Sequence, residues 1–112
     1  MPTPLRGEVW LVDLGMAAKV RPAVVVSTPF GGQDRSLITV VPHTTALSGS
    51  ALEVAVQVSF LKPGAFLVQG STTIQTGHAL HRLGILPTRA FDDVIAGLLR
   101  WLGHSSSTTA KS

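Results

Sequence analysis

Few side chains in this sequence can do acid–base or nucleophilic chemistry. There are four histidines, six acids and no cysteines, so neither a thiolate nucleophile nor a thiolate metal site is available. Arg21 directly precedes Pro22 at the head of an apolar run, where a guanidinium offers a planar fork of donors suited to phosphate oxygens and stays protonated at any ordinary pH. His43, Thr44 and Thr45 stand together after Pro42, an imidazole that titrates near neutrality beside two hydroxyls. Lys19 adds a cation just ahead of Arg21. His78 and His81 are spaced as two ligands on a helical turn would be, but no carboxylate or cysteine accompanies them, and no metal site is expected. Each group also has a plain structural reading: a surface cation for Arg21, strand-end capping for Thr44 and Thr45, a packed imidazole for His43, a solvated loop residue for Lys19.

The surrounding pattern says what must position them. Arg6 to Asp13, rich in β-branched and aromatic residues, reads as a strand, and Leu14 to Val20 as a loop. Pro22 to Ser27 is a nearly continuous apolar run, as expected of a strand buried on both faces with proline at its first position. Thr28 to Ser36 carries turn residues, and Leu37 to His43 forms a third strand in which Pro42 implies a bulge, an edge or the strand end. Along such a strand His43 faces away from Thr44. Leu52 to Val58 alternates strictly, with Leu52, Val54, Val56 and Val58 on one face. Further strands are expected at Ala65 to Gln69 and Leu80 to Leu86, six in all, and short strands at this spacing suggest a small barrel. Phe91, Val94, Ile95, Leu98, Leu99 and Leu102 then recur at helical spacing. Thr88 is the expected N-cap, Asp92 and Asp93 fall where the helix dipole favours acids, and Gly103 is the expected C′ residue. Gly97 in the helix interior implies close packing, Trp10 reads as core or interface, and Trp101 as a packing or dimer residue.

Bulk properties narrow the class. The 112 residues suit one domain, assigned to residues 1–103, followed by a Ser/Thr-rich tail from His104 to Ser112 expected to be disordered. With 45% hydrophobic and 13% charged residues the chain is too apolar to stay unfolded, and its apolar surplus points to a dimer interface. A net charge of +3 is compatible with an anionic partner. The absence of cysteines, of a basic-then-apolar leader and of a long apolar run reads as cytoplasmic, with no membrane association.

Three stretches in this order, RGEVWLVDL (Arg6 to Leu14), RPAVVVS (Arg21 to Ser27) and ITVVPHTT (Ile38 to Thr45), resemble the MazF/PemK toxins. RLGIL (Arg82 to Leu86) with the helix after it is similar to the family's closing strand and helix, so the likeness runs from Arg6 to about Leu102. The resemblance implies an SH3-like β-barrel with a C-terminal helix, a homodimer, and sequence-selective, metal-independent cleavage of single-stranded RNA without a cofactor. It implies a cognate antitoxin, and operator DNA bound jointly with it. The family's chemistry falls here on Arg21 and Thr44, with Lys19, Ser27, Thr45, Gln69 and Thr72 as candidate substrate contacts and His43 and His78 as candidates for proton transfer. Two departures stand out. The stretch before Arg21 is short and lacks the family's acidic contact, leaving Lys19 as a possible phosphate ligand, and the Gln-Ile-Arg-Thr-like motif appears as Gln69-Gly70-Ser71-Thr72-Thr73, without arginine.

Cleavage of this kind has the neighbouring 2′-OH attack phosphorus, so a protein must hold the phosphodiester, manage two protons and stabilise a pentavalent oxyanion. Arg21 suits the electrophile and acid roles, Thr44 can donate a hydrogen bond to the same charge, and the base is open because a guanidinium is a poor one. The rival readings on this scaffold are a gyrase poison resembling CcdB, whose working residues lie at the extreme C-terminus, and a non-catalytic barrel that binds RNA or an antitoxin only.

Overall fold

The computed structural model describes residues 3–15 and 19–104. Its strands are β1 (Glu8–Asp13), β2 (Val20–Val25), β3 (Leu37–Thr44), β4 (Glu53–Ala55), β5 (Ala65–Leu67), β6 (Thr72–Gln75) and β7 (Ala79–Ile85), followed by the helix α1 (Thr88–Trp101). All strand pairs are antiparallel, in the order β4-β5-β3-β2-β1-β7, with β6 also pairing β3.

β3 is the hub. One edge pairs with β2; the other is shared, β6 taking Leu37 to Val40 and β5 taking His43 and Thr44. The sheet therefore forks at Val41 and Pro42. A proline is tolerated there because it has no N–H to give to a ladder, and the fork needs none. The 3₁₀ turn Val68–Gly70 spans the gap between β5 and β6.

Alternate residues of β1, β2 and β3 feed two apolar clusters on opposite faces of the sheet. Val9, Val24 and Val41 join Phe66, Val68 and Val94 in one, and Trp10, Val12, Ala23, Val25, Ile38, Val40 and Ala79 form the other. This double burial explains why β2 reads as an unbroken apolar run rather than an alternating one. The helix covers the first cluster through Val94 and Gly97, where an added Cβ would stand 2.7 Å from Val54 Cγ2, the close packing its glycine implied. Arg6 ties the N-terminal arm down, with its guanidinium 4.8 Å from the Phe91 ring centroid and a donated hydrogen bond to the Val26 carbonyl.

Several expectations change. The curled sheet does not close by hydrogen bonds into a barrel, since β4 and β7 have no ladder between them among the described residues. The described strands are seven, not six: β6 is mostly polar, with only Ile74 packing on the Trp10 cluster, and β3 offers it four register partners. The alternating Leu52 to Val58 segment pairs over Glu53–Ala55 only, although Leu52, Val54, Val56 and Val58 do all pack on one core. The N-cap of α1 is Pro87, not Thr88; the Pro87 carbonyl accepts from Phe91 N–H and no side chain caps the end. Asp92 and Asp93 consequently lie beyond the first turn. At the other end Gly103 takes φ 77°, and the amides of Gly103 and His104 donate to the carbonyls of Arg100 and Leu99, a Schellman closure that puts His104 in the cap rather than in a tail. Residues 105–112 of the expected tail lie outside the described residues.

Candidate functional site

Strand register brings the two main candidates together. Ala23, Val24 and Val25 face Pro42, Val41 and Val40, so continuing the count two residues sets Arg21 opposite Thr44, both on the face of Ala23 and Pro42. An open cleft of about 430 Å³ lies there, over the fork in the sheet, lined by Leu14, Arg21, Pro42, Thr44, Leu67, Gly70 and Thr72. Gly70 is needed for its shape: an added Cβ would meet Pro42 Cγ at 2.9 Å. Thr44 Oγ1 accepts from Ala46 N–H at 3.0 Å, which fixes the side chain and leaves the hydroxyl proton to donate elsewhere. The capping and the chemical readings of Thr44 thus coexist in one conformation.

Arg21 is also a wall of a second cavity of about 400 Å³, lined further by Pro22, His43, Thr45, Phe60, Leu61 and Lys62. His43 faces away from Thr44, as strand alternation requires, and packs edge-on against Phe66 with ring centroids 5.1 Å apart. His43 is 4% exposed and its Nε2 has no hydrogen-bond partner among the described residues; burial lowers its pKa and so favours the neutral ring. The turn above it approaches very closely. A Cβ on Gly64 would stand 2.8 Å from His43 Cε1 and collide with the Thr44 carbonyl, so glycine is required for this turn to sit against the end of β3.

Of the remaining candidates, Thr72 lines the first cleft and Thr45 the second. Gln69 is exposed on the 3₁₀ turn next to the wall residue Gly70. Lys19 is exposed with φ 57°, and its carbonyl accepts from the amide of Leu14, another wall residue, which holds it at the rim. Three candidates are not brought in. Ser27 lies far along the chain beyond the end of β2, roughly 20 Å from Arg21 in an extended strand, and its hydroxyl accepts from Thr39 N–H at 3.0 Å. His78 is exposed in the turn before β7, next to Ala79, which pairs with Val12, the β1 partner of Arg21; two strand spacings of roughly 10 Å separate the backbones. His81 is exposed on β7 opposite Leu11, and no group of His, Asp or Glu among the described residues is arranged to hold a metal. Sequence reasoning missed Lys62, because a Lys-Pro-Gly stretch reads as an ordinary solvated turn, and it missed the apolar walls Leu14 and Leu67.

Fold and site together are a small forked antiparallel sheet with one closing helix, and a guanidinium and a hydroxyl that line one open cleft. The family described as PemK-like, MazF-like toxin of type II toxin-antitoxin systems matches residues 5–102, and this chain belongs to it. Among solved structures, a chain of the MazE–MazF crystal structure (Form-II) from Deinococcus radiodurans is similar at a TM-score of 0.78 and 21% identity, over 94% of this chain and 100% of that one. An endoribonuclease from a mycobacterial species is similar at 0.76 and 23%, over 93% and 95%. An endoribonuclease in complex with its cognate antitoxin, also mycobacterial, is similar at 0.77 and 24%, over 89% and 95%. At these identities the likeness defines the fold, a mainly antiparallel β-structure with a C-terminal helix. No described helix is long and apolar enough to cross a membrane.

Proposed function

We propose that this chain is the toxin of a type II toxin–antitoxin pair and acts in the cytoplasm as an endoribonuclease on single-stranded RNA. The observation that carries the reading is the joint presence of Arg21 and Thr44 on one face of one open cleft, at the positions where the family resemblance puts the chemistry. The Arg21 guanidinium grips the nonbridging oxygens of the scissile phosphodiester, and the Thr44 hydroxyl donates to the same charge as it grows. The 2′-oxygen bonds to phosphorus, the bond from phosphorus to the 5′-oxygen breaks, and the products are a 2′,3′-cyclic phosphate and a 5′-OH. The 2′-OH proton passes to solvent, and Arg21 gives a proton to the leaving 5′-oxygen and takes one back from solvent.

No metal or cofactor enters this scheme. The solved relatives named with an antitoxin support a cognate antitoxin for this chain too, one that lays an acidic or apolar segment over the cationic surface around Arg21. A homodimer, and operator DNA bound together with the antitoxin, complete the proposal. The test is incubation of the pure protein with an RNA of varied sequence in EDTA, with end-group mapping of the products. Discrete fragments ending in cyclic phosphate are expected; intact RNA would overturn the reading.

A further inference from the structure

The second cavity has no part in the scheme above, yet Arg21 is a wall of both. A polynucleotide whose scissile phosphate rests on Arg21 can set one neighbouring nucleotide over the Thr44 cleft and continue past Pro22 into the second cavity, since Arg21 lines both. There it meets the apolar surfaces of Phe60 and Leu61 and then a second cation, Lys62. We infer that this cavity is a second nucleotide subsite, in which a base packs on Phe60 and Leu61 and the adjoining phosphate binds Lys62. The inference rests on the ribonuclease reading and names how the substrate continues beyond the cleaved bond.

Three features of the site support it. The turn that carries Lys62 is held firmly: the Phe60 ring lies against Gly84, where an added Cβ would meet Phe60 Cε2 at 2.6 Å, and Gly64 seats the turn's other end against His43 and Thr44. The turn is thus packed in place at both ends, which lowers the ordering cost of binding. Among the described residues no acid lines it, so none of them opposes a phosphate. Its apolar walls carry no fixed hydrogen-bond code, so they suit the face of a base, with the Thr45 hydroxyl at the rim able to meet a base edge. An acidic peptide would also answer the two cations, but it would not be led into this cavity by a strand already anchored on Arg21.

The experiment uses the full chain and an RNA carrying a 2′-deoxy nucleotide at the mapped cleavage position, which binds without being cut. For Lys62→Gln, the slope of log affinity against log salt should flatten by about 0.7, one single-strand phosphate contact, while Arg35→Gln, a cation lining a separate cavity, should leave it unchanged. On cleavable RNA, Lys62→Gln should raise KM with far less change in kcat. An abasic residue beside the cleaved bond should weaken binding to the wild type about tenfold on the side that enters the cavity, and should add much less to a Leu61→Ser variant already lacking that wall. An unchanged slope and KM in Lys62→Gln, or full additivity of the abasic and Leu61 changes, would overturn the subsite even if RNA is cut. Lys62-dependent binding of RNA that the wild type never cuts would sink the ribonuclease reading and leave the subsite standing.

Discussion

At the scale of single residues, the division of work proposed for Arg21 and Thr44 follows from chemistry that their types impose: a guanidinium binds charge, and a hydroxyl with one lone pair engaged still has its proton to give. Their shared site was expected from the family resemblance alone; the register that sets them opposite each other was not legible, because the Thr28 to Ser36 connection does not fix one. His43 was legible in direction, through strand alternation, but not in depth; its burial depends on Phe66, far along the chain. Lys62 was not legible, since nothing local says which surface cation will face a cavity. Another residue-scale device is Glu53, whose carboxylate accepts from the amides of Ser48, Gly49 and Ser50 and from the Ser48 hydroxyl, organising the loop after β3. The Ser48 amide chiefly, with the others, holds its pKa below the ordinary value of 4.5, although desolvation opposes this. A depressed folded pKa contributes stability that is present above the unfolded value and lost as pH falls through the folded one. Melting temperature should therefore drop on acidification below about pH 4.5 less steeply in Glu53→Gln than in the wild type. Parallel acid profiles would contradict the assignment.

At the scale of elements, the site exists because β3 changes partners at Pro42. The strand itself was readable from composition; the fork was not, because β6 is a mostly polar segment whose one apolar residue, Ile74, gives no strand pattern. The helix cap was misplaced for a related reason: threonine's preference was the visible signal, whereas Pro87 supplies a carbonyl and a suitable φ without one. Two glycines separate packing from positioning. Gly97→Ala gains about 1 kcal/mol of helix propensity but forces a methyl against β-branched Val54, an overpacking of about 1–3 kcal/mol, so the expected net is a loss of about 1 kcal/mol in denaturant unfolding. A higher midpoint would show that the helix can move off β4. Gly64→Ala instead strikes the Thr44 backbone, which cannot swing aside. It should lower the cleavage rate roughly tenfold or more, by displacing the hydroxyl, beyond what its effect on folding explains. Unchanged cleavage kinetics would detach the turn from the site.

At the scale of the molecule, the apolar surplus read from composition does remain on the surface. Leu80 and Ile85 are about half exposed on β7, which has one ladder neighbour among the described residues, and Trp101 and Leu102 are exposed at the end of the helix. Sedimentation at micromolar concentration should give a dimer, with Ile85→Lys or Trp101→Lys driving it to monomer. A wild type that runs as monomer would contradict the dimer. In the proposed complex the antitoxin covers the groove around Arg21. The proposed activity stands on that guanidinium acting on an RNA phosphodiester. The most direct measurement is single-turnover cleavage of a mapped RNA by Arg21→Ala, with the fold checked by circular dichroism. A rate lowered by roughly 100-fold or more on an intact fold is the result predicted; a variant that folds and cuts as fast as the wild type would contradict it.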